Sequence, residues 1–143
     1  MSRGKLTLVR GLPGVGKSTY AARQPGAIVL SADDYFMTER GYEFNPALLG
    51  EAHKWCQESA RALLERGTSV IVANTFTQRW EMQVYLEMPY KALEVIDLFD
   101  GGFSATALAR RNVHGVPEST IQGMRARYEH AWWDGNPLPP WER

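Results

Sequence analysis

Four short apolar runs punctuate the chain: Leu6–Val9, Ala27–Leu30, Ser69–Ala73 and Leu93–Phe99. Each is rich in Val, Ile or Leu and has the length of a buried strand. Between them the hydrophobic positions change to helical spacing. From Pro46 to Arg66, the residues Leu48, Leu49, Ala52, Trp55, Cys56, Ser59, Ala60, Leu63 and Leu64 form one stripe, and Gly67 stands where a C-terminal cap belongs. Shorter helices are predicted over Gln78–Leu86 and Ser104–Asn112. A last one runs from Pro117, whose ring suits a first helical turn, to Trp133. There Ile121, Met124, Tyr128 and Trp132 recur at three- and four-residue steps, as one buried face requires. Strands alternating with helices predict an α/β fold with a parallel sheet covered on both faces. Ligands of such sheets bind at the carboxyl ends of the strands. The residues after each strand are therefore the ones in which to look for chemistry.

Composition narrows the class without naming a chemistry. The 143 residues form a single expected domain, 1–143, ending in a Pro/Trp-rich tail, Asp134–Arg143, expected to be an extended wrap or a loose end. Sixteen basic and sixteen acidic residues cancel, so a polyanion would have to be met by a local patch. Cys56 is the only cysteine, which removes an internal disulfide. No run approaches ~18 apolar residues, so no membrane span is predicted. The basic lead MSRGKLTLVRG lacks the apolar core of a signal peptide. A soluble cytoplasmic protein is expected, and nothing specifies an oligomeric state. His53, His114 and His130 have no ligand-spaced partners, which argues against zinc. Trp55 falls on the apolar stripe, while Trp132, Trp133 and Trp141 are expected to pack the tail.

The first strand leads into Gly11-Leu12-Pro13-Gly14-Val15-Gly16-Lys17-Ser18, followed by Thr19, which matches G-x-x-x-x-G-K-[ST] at every fixed position. Glycines let successive backbone N–H groups turn inward around phosphate oxygens. A helix opening near Lys17 would add its positive end. Lys17 is expected at the β- and γ-phosphates of ATP and the Ser18 hydroxyl on Mg²⁺. Guanine-recognition and switch motifs of GTP-binding proteins are absent, and the chain is short for a motor, so a small-acceptor kinase fits best.

A kinase also needs a carboxylate at the acceptor hydroxyl and cations around the moving phosphoryl group. Ser31-Ala32-Asp33-Asp34-Tyr35 follows the second strand. Asp33 is the first choice for the orienting base. Asp34 is the second choice, or acts through Mg²⁺, and one of the two is expected to cap a helix. The cations are sought in Arg110 and Arg111, within a lid over 104–116. Adjacent helical residues point about 100° apart, so only one of them should meet phosphate. Arg125 and Arg127 are expected to face solvent. Asn74 and Thr75 end the third strand, where Asn74 brings hydrogen-bonding capacity to an acceptor but no charge.

The segments RGLPGVGKST, LSADDYF, LLGEAHKWC, VIVANTFTQRWEM and LARRNVHGVPESTI, in this order, resemble the P-loop kinase family of phage-type polynucleotide 5′-hydroxyl kinases. They are closer still to the P-loop module of the animal Nedd-binding-protein group, among AAA-type ATP-binding and zeta-toxin-like kinases. The resemblance implies a five-stranded parallel sheet sandwiched by helices, ATP with Mg²⁺, and γ-phosphate transfer to a hydroxyl on DNA or RNA. It carries Lys17 and Ser18 over as phosphate and Mg²⁺ residues, Asp33 as the catalytic aspartate and Arg111 as a lid arginine. Phage-type enzymes have an acceptor-binding arginine where this chain has Phe36, and an aspartate where it has Asn74. Tyr35, Phe36, Phe76 and Trp80 are instead candidates for stacking on an acceptor base. That would suit a hydroxymethyl-pyrimidine in phage DNA as well as a strand-end 5′-hydroxyl. The rivals are an ATP-binding interaction module without catalysis and a small-metabolite kinase.

Overall fold

The computed structural model describes residues 4–143; Met1–Arg3 of the basic lead lie outside the described residues. Its main sheet contains β1 (Lys5–Gly11), β2 (Ile28–Leu30), β5 (Val70–Ala73) and β6 (Ala92–Phe99). They lie in the order β2-β5-β1-β6 and every pair is parallel. The family resemblance implied five strands; the sheet has four among the described residues. The remaining two, β3 (Met37–Thr38) and β4 (Gly41–Tyr42), form a separate antiparallel hairpin.

Alternation along β1 and β5 explains why both sheet faces are covered. Leu6, Leu8, Val70 and Val72 point to one face, where they meet Ala52, Cys56, Ala60 and Leu64 of α2 (Leu49–Glu65) and Met82 and Tyr85 of α3 (Arg79–Leu86). Val9, Ile71 and Ala73 point to the other, against Ala21 of α1 (Lys17–Ala22). A two-residue period with both sets apolar is what a doubly covered strand needs. The α2 stripe is real but narrower than the sequence reading: its four buried residues recur every four positions, while Leu49 is exposed. Gly67 takes a φ of 85° immediately after this helix, as its capping position requires.

A third cluster joins the end of β1 to α4 (Ala105–Arg111) and α5 (Glu118–Arg127) through Leu12, Val15, Leu108, Ile121 and Tyr128. Here the predicted boundaries shift. The last helix ends at Arg127 rather than Trp133, because Tyr128 turns to an extended backbone. Its hydroxyl donates to Asp97 Oδ1 at 2.6 Å and its ring lies under the Arg10 guanidinium. The segment expected as a lid begins with α4, which lies directly on the glycine loop. α4 packs on the glycine loop so closely that a Cβ on Gly14 would lie 2.5 Å from Leu108 O. Beyond α5 the tail is a wrap: Trp141 packs edge-on against Trp80 of α3 with ring centres 5.2 Å apart.

Candidate active site

Parallel strands deliver four loops to one edge, and short hydrogen bonds tie them together. Gly11 N donates to Thr75 O at 3.2 Å and Leu12 N to Phe99 O at 2.8 Å, fixing the glycine loop between the ends of β5 and β6. The loop then turns through Gly14 (φ 85°) and Gly16 (φ 107°) into α1. At Gly16 no atom lies within 4 Å of where a Cβ would be, leaving the backbone open to an approaching group. Lys17 folds back over the loop, its Nζ donating to Gly11 O at 2.9 Å and Leu12 O at 3.1 Å. Burial lowers its pKa from 10.5 to about 8, against the pull of the nearby Asp33 carboxylate. Ser18 and Thr19 are exposed. A buried ammonium satisfied only by carbonyls, beside an open glycine turn, is a donor set suited to phosphate oxygens.

The pair after β2 divides its labour. Ser31 caps the 3₁₀ turn Ala32–Phe36, and Asp34 completes a capping box by accepting from Ser31 N at 3.1 Å. Burial raises the Asp34 pKa, partly offset by that backbone bond. Capping therefore commits one Asp34 oxygen, and the exposed Ser18 hydroxyl has no side-chain hydrogen bond among the described residues. Asp33, freed from capping, accepts from the Tyr42 hydroxyl at 2.9 Å through Oδ1. Its Oδ2 lies 3.5 Å from His114 Nε2.

The remaining candidates separate cleanly. Arg111 donates from Nε to Gly14 O at 3.0 Å, with its guanidinium 4.0 Å over the Phe103 ring. Arg110 is exposed and has no ion-pair or hydrogen-bond partner among the described residues. Arg125, expected in solvent, instead pairs with Asp100 at 2.6 Å and braces the loop after β6. Asn74 is occupied: its Oδ1 accepts from Ala32 N at 2.9 Å, so it straps β5 to the Asp33 turn instead of offering a side chain to an acceptor. Phe36 and Phe76 are 3% exposed and belong to the core, so neither presents a stacking face. Trp80 is covered by Trp141 and donates to Gln78 Oε1. Tyr35 stays half-open, its hydroxyl donating to Glu51.

Sequence reasoning passed over Arg10, Tyr42 and Asn112. Arg10 closes the run LTLVR and is fully buried; a charge ending a buried strand is itself a signal that a partner waits. Asn112 pins the turn after α4, donating to Ala109 O and Val116 O at 3.0 Å each and accepting from Val116 N at 2.9 Å. Nothing in the sequence marks Tyr42. Among the described residues no cluster of three or more His, Cys, Asp or Glu side chains is arranged to hold a metal, and no helix is long and apolar enough to cross a membrane.

A family model described as an AAA domain matches residues 6–131. The chain belongs to this family. Among curated relatives, NEDD4-binding protein 2 of Homo sapiens is 40% identical over 133 residues, which cover 87% of this AAA domain and 8% of that protein. The domain thus spans under a tenth of that relative's length. The Pnkp1/Rnl/Hen1 RNA repair complex contains a chain similar in structure, with a TM-score of 0.66 and 21% identity over 90% of the domain and 45% of that chain. An unliganded sugar kinase from Janibacter sp. aligns with a TM-score of 0.63 and 22% identity, over 96% and 80% of the two chains. A gluconokinase from Sinorhizobium meliloti aligns at 0.59 and 18%, over 94% and 80%. The fold of this AAA domain is that of the P-loop kinases.

Proposed function

We propose that this AAA domain is an ATP-dependent kinase that transfers the γ-phosphoryl group to a hydroxyl on nucleic acid. One observation carries the reading: Asp34 takes the capping role, which leaves Asp33 with its oxygens facing Tyr42 and His114 at the carboxyl edge of the sheet, where the Lys17 ammonium folds over the glycine loop. That is the pairing phosphoryl transfer needs, a cation on the phosphates and a carboxylate on the alcohol. In this reading the loop amides and Lys17 hold the triphosphate, and Lys17 exchanges its two carbonyl partners for phosphate oxygens. Arg111 leaves Gly14 O to meet the transferred group. Asp33 orients the acceptor hydroxyl and takes its proton. Ser18 is the residue that would hold Mg²⁺, which when bound would offset the charge of the phosphates.

Nucleic acid as acceptor is supported by the order of the LSADDYF, NTFTQRWEM and RNVHGVP segments and by the fold shared with a chain of an RNA repair complex. A small-metabolite kinase is the second reading. A groove of about 470 Å³ beside the Asp33 turn is lined by Tyr35, Phe36, Thr38, Glu43, Phe44, Asn45, Pro46 and Leu48, with a carboxylate and no cation. Such a lining suits a neutral acceptor better than a phosphate chain.

Labelled ATP offered with 5′-hydroxyl DNA, 5′-hydroxyl RNA, hydroxymethyluracil-containing DNA, nucleosides and hexoses separates the readings by which product carries the label. Lys17→Ala is expected to abolish both nucleotide binding and transfer. Asp33→Asn is expected to lower kcat by about 100-fold or more while nucleotide affinity holds. Label on none of the acceptors removes the kinase reading, and an Asp33→Asn protein as fast as the parent removes Asp33 as the base.

A further inference from the structure

We infer that His114 and Tyr42 are positioning residues that grip the two oxygens of Asp33. The inference rests on the proposed role of Asp33 and adds what aims it. Two separate segments converge on this carboxylate. The Tyr42 hydroxyl, from the β3–β4 hairpin, donates to Oδ1 at 2.9 Å. His114 Nε2, from the turn after α4, faces Oδ2 at 3.5 Å. The two gripping side chains also brace each other, their rings 4.3 Å apart between centres.

The other edge of the imidazole is closed off: His114 Nδ1 is buried with no hydrogen-bond partner among the described residues. Nε2 is thus the ring nitrogen that faces a partner, Asp33 Oδ2.

The turn that holds His114 is closed by its own hydrogen bonds. Asn112 closes it with bonds in both directions to Val116, and Gly115 supplies the positive φ of 72° that the turn requires. Arg111, three residues before His114, holds Gly14 O of the phosphate loop. One short strap thus touches both the loop that would hold the donor and the carboxylate that would aim the acceptor. Without a grip on each oxygen the Asp33 carboxylate would turn about its two side-chain bonds. A misplacement of about 1 Å is enough to lose roughly 100-fold in rate.

The test compares His114→Ala, His114→Gln and Tyr42→Phe. His114→Ala is expected to cut kcat by about 10- to 100-fold with nucleotide Kd unchanged. His114→Gln, whose amide N–H reaches the same place as Nε2, is expected to restore most of the loss. Tyr42→Phe should act in the same direction, and combined with His114→Ala should cost less than the product of the two effects. A purely structural role would change melting temperature and nucleotide Kd together and would not be rescued by glutamine; that result overturns the proposal, as does unaltered kcat in His114→Ala. A second measurement needs no turnover. The carboxyl-carbon NMR resonance of Asp33, in nucleotide-free protein, is expected to move in both His114→Ala and Tyr42→Phe. If it stays in place the grip does not exist, whatever the enzyme phosphorylates. If it moves while the parent labels no acceptor, the grip stands and the kinase reading falls.

Discussion

At the level of single residues the site works against the stability of the fold that carries it. Lys17 is buried as a cation whose folded-state pKa has fallen from 10.5 to about 8. A base with a depressed pKa binds fewer protons folded than unfolded, so stability rises with pH between about 8 and 10.5 and the penalty is fully present below 8. The shift corresponds to about 3 kcal/mol. Lys17→Met should therefore stabilise the nucleotide-free protein at pH 7 while destroying nucleotide binding, with a gain that shrinks towards pH 10. Urea titrations of both proteins at the two pH values measure it; an equal difference at both would remove the burial argument. The glycine turn of the motif is legible because its spacing puts glycine where the backbone takes positive φ, at Gly14 and Gly16. Asp33 and Asp34 are legible only as a pair, since which of them caps depends on which carboxylate turns back to Ser31 N, and that is Asp34. Tyr42 was illegible: its role comes from a hairpin that folds over the Asp33 turn, which no local pattern announces.

Elements were read best where period and cap agreed. The α2 stripe and Gly67 fall together, and Ser104 caps α4 as its place before the helix suggests, accepting from Ala107 N at 3.1 Å. The last helix was overrun because its three- and four-residue spacing continues past the point where tertiary contacts take Tyr128 out of helical geometry. The glycine loop and α4 make a comparison of two similar substitutions informative. Gly14 and Gly16 both hold positive φ, so alanine strains the backbone at each by about 1 kcal/mol or more. Only at Gly14 does the new Cβ also meet fixed backbone, at Leu108 O and Asn112 N. Gly14→Ala is expected to push α4 off the loop and lower the melting temperature clearly more than Gly16→Ala. Gly16→Ala should stay folded and lose nucleotide affinity, since its Cβ enters the space left open for phosphate. Thermal melts with and without ATP distinguish these outcomes, and equal melting temperatures would contradict the close packing of α4.

On the scale of the whole molecule, the four loops of the site hold their places because a buried cation fastens the chain's later part to its first strand. Arg10 is fully buried and donates to Phe76 O at 2.9 and 2.8 Å, Thr77 O at 3.1 Å and Glu129 O at 2.9 Å, besides pairing with Asp97 at 3.0 Å. Those carbonyls belong to the loop after β5 and to the segment beyond α5, so one guanidinium joins β1, β6 and both returns of the chain. Among the described residues Asp97 is the only carboxylate it meets, and Tyr128 shares that carboxylate through its hydroxyl. Removing the negative partner leaves a guanidinium buried with carbonyl dipoles alone, a condition that costs about 3–5 kcal/mol. Asp97→Ala should therefore destabilise the domain by about 3 kcal/mol or more. Tyr128→Phe, which gives up one neutral-donor bond, should cost about 1 kcal/mol. Asp97→Asn keeps an acceptor for Tyr128 but not the charge, and belongs between them. Urea midpoints for the three variants rank them; an Asp97→Ala protein no weaker than Tyr128→Phe would mean that the carbonyls alone suffice to hold Arg10. The same ranking is expected in nucleotide affinity at temperatures near unfolding, because Gly11 N is hydrogen-bonded to Thr75 O, in the loop that Arg10 secures.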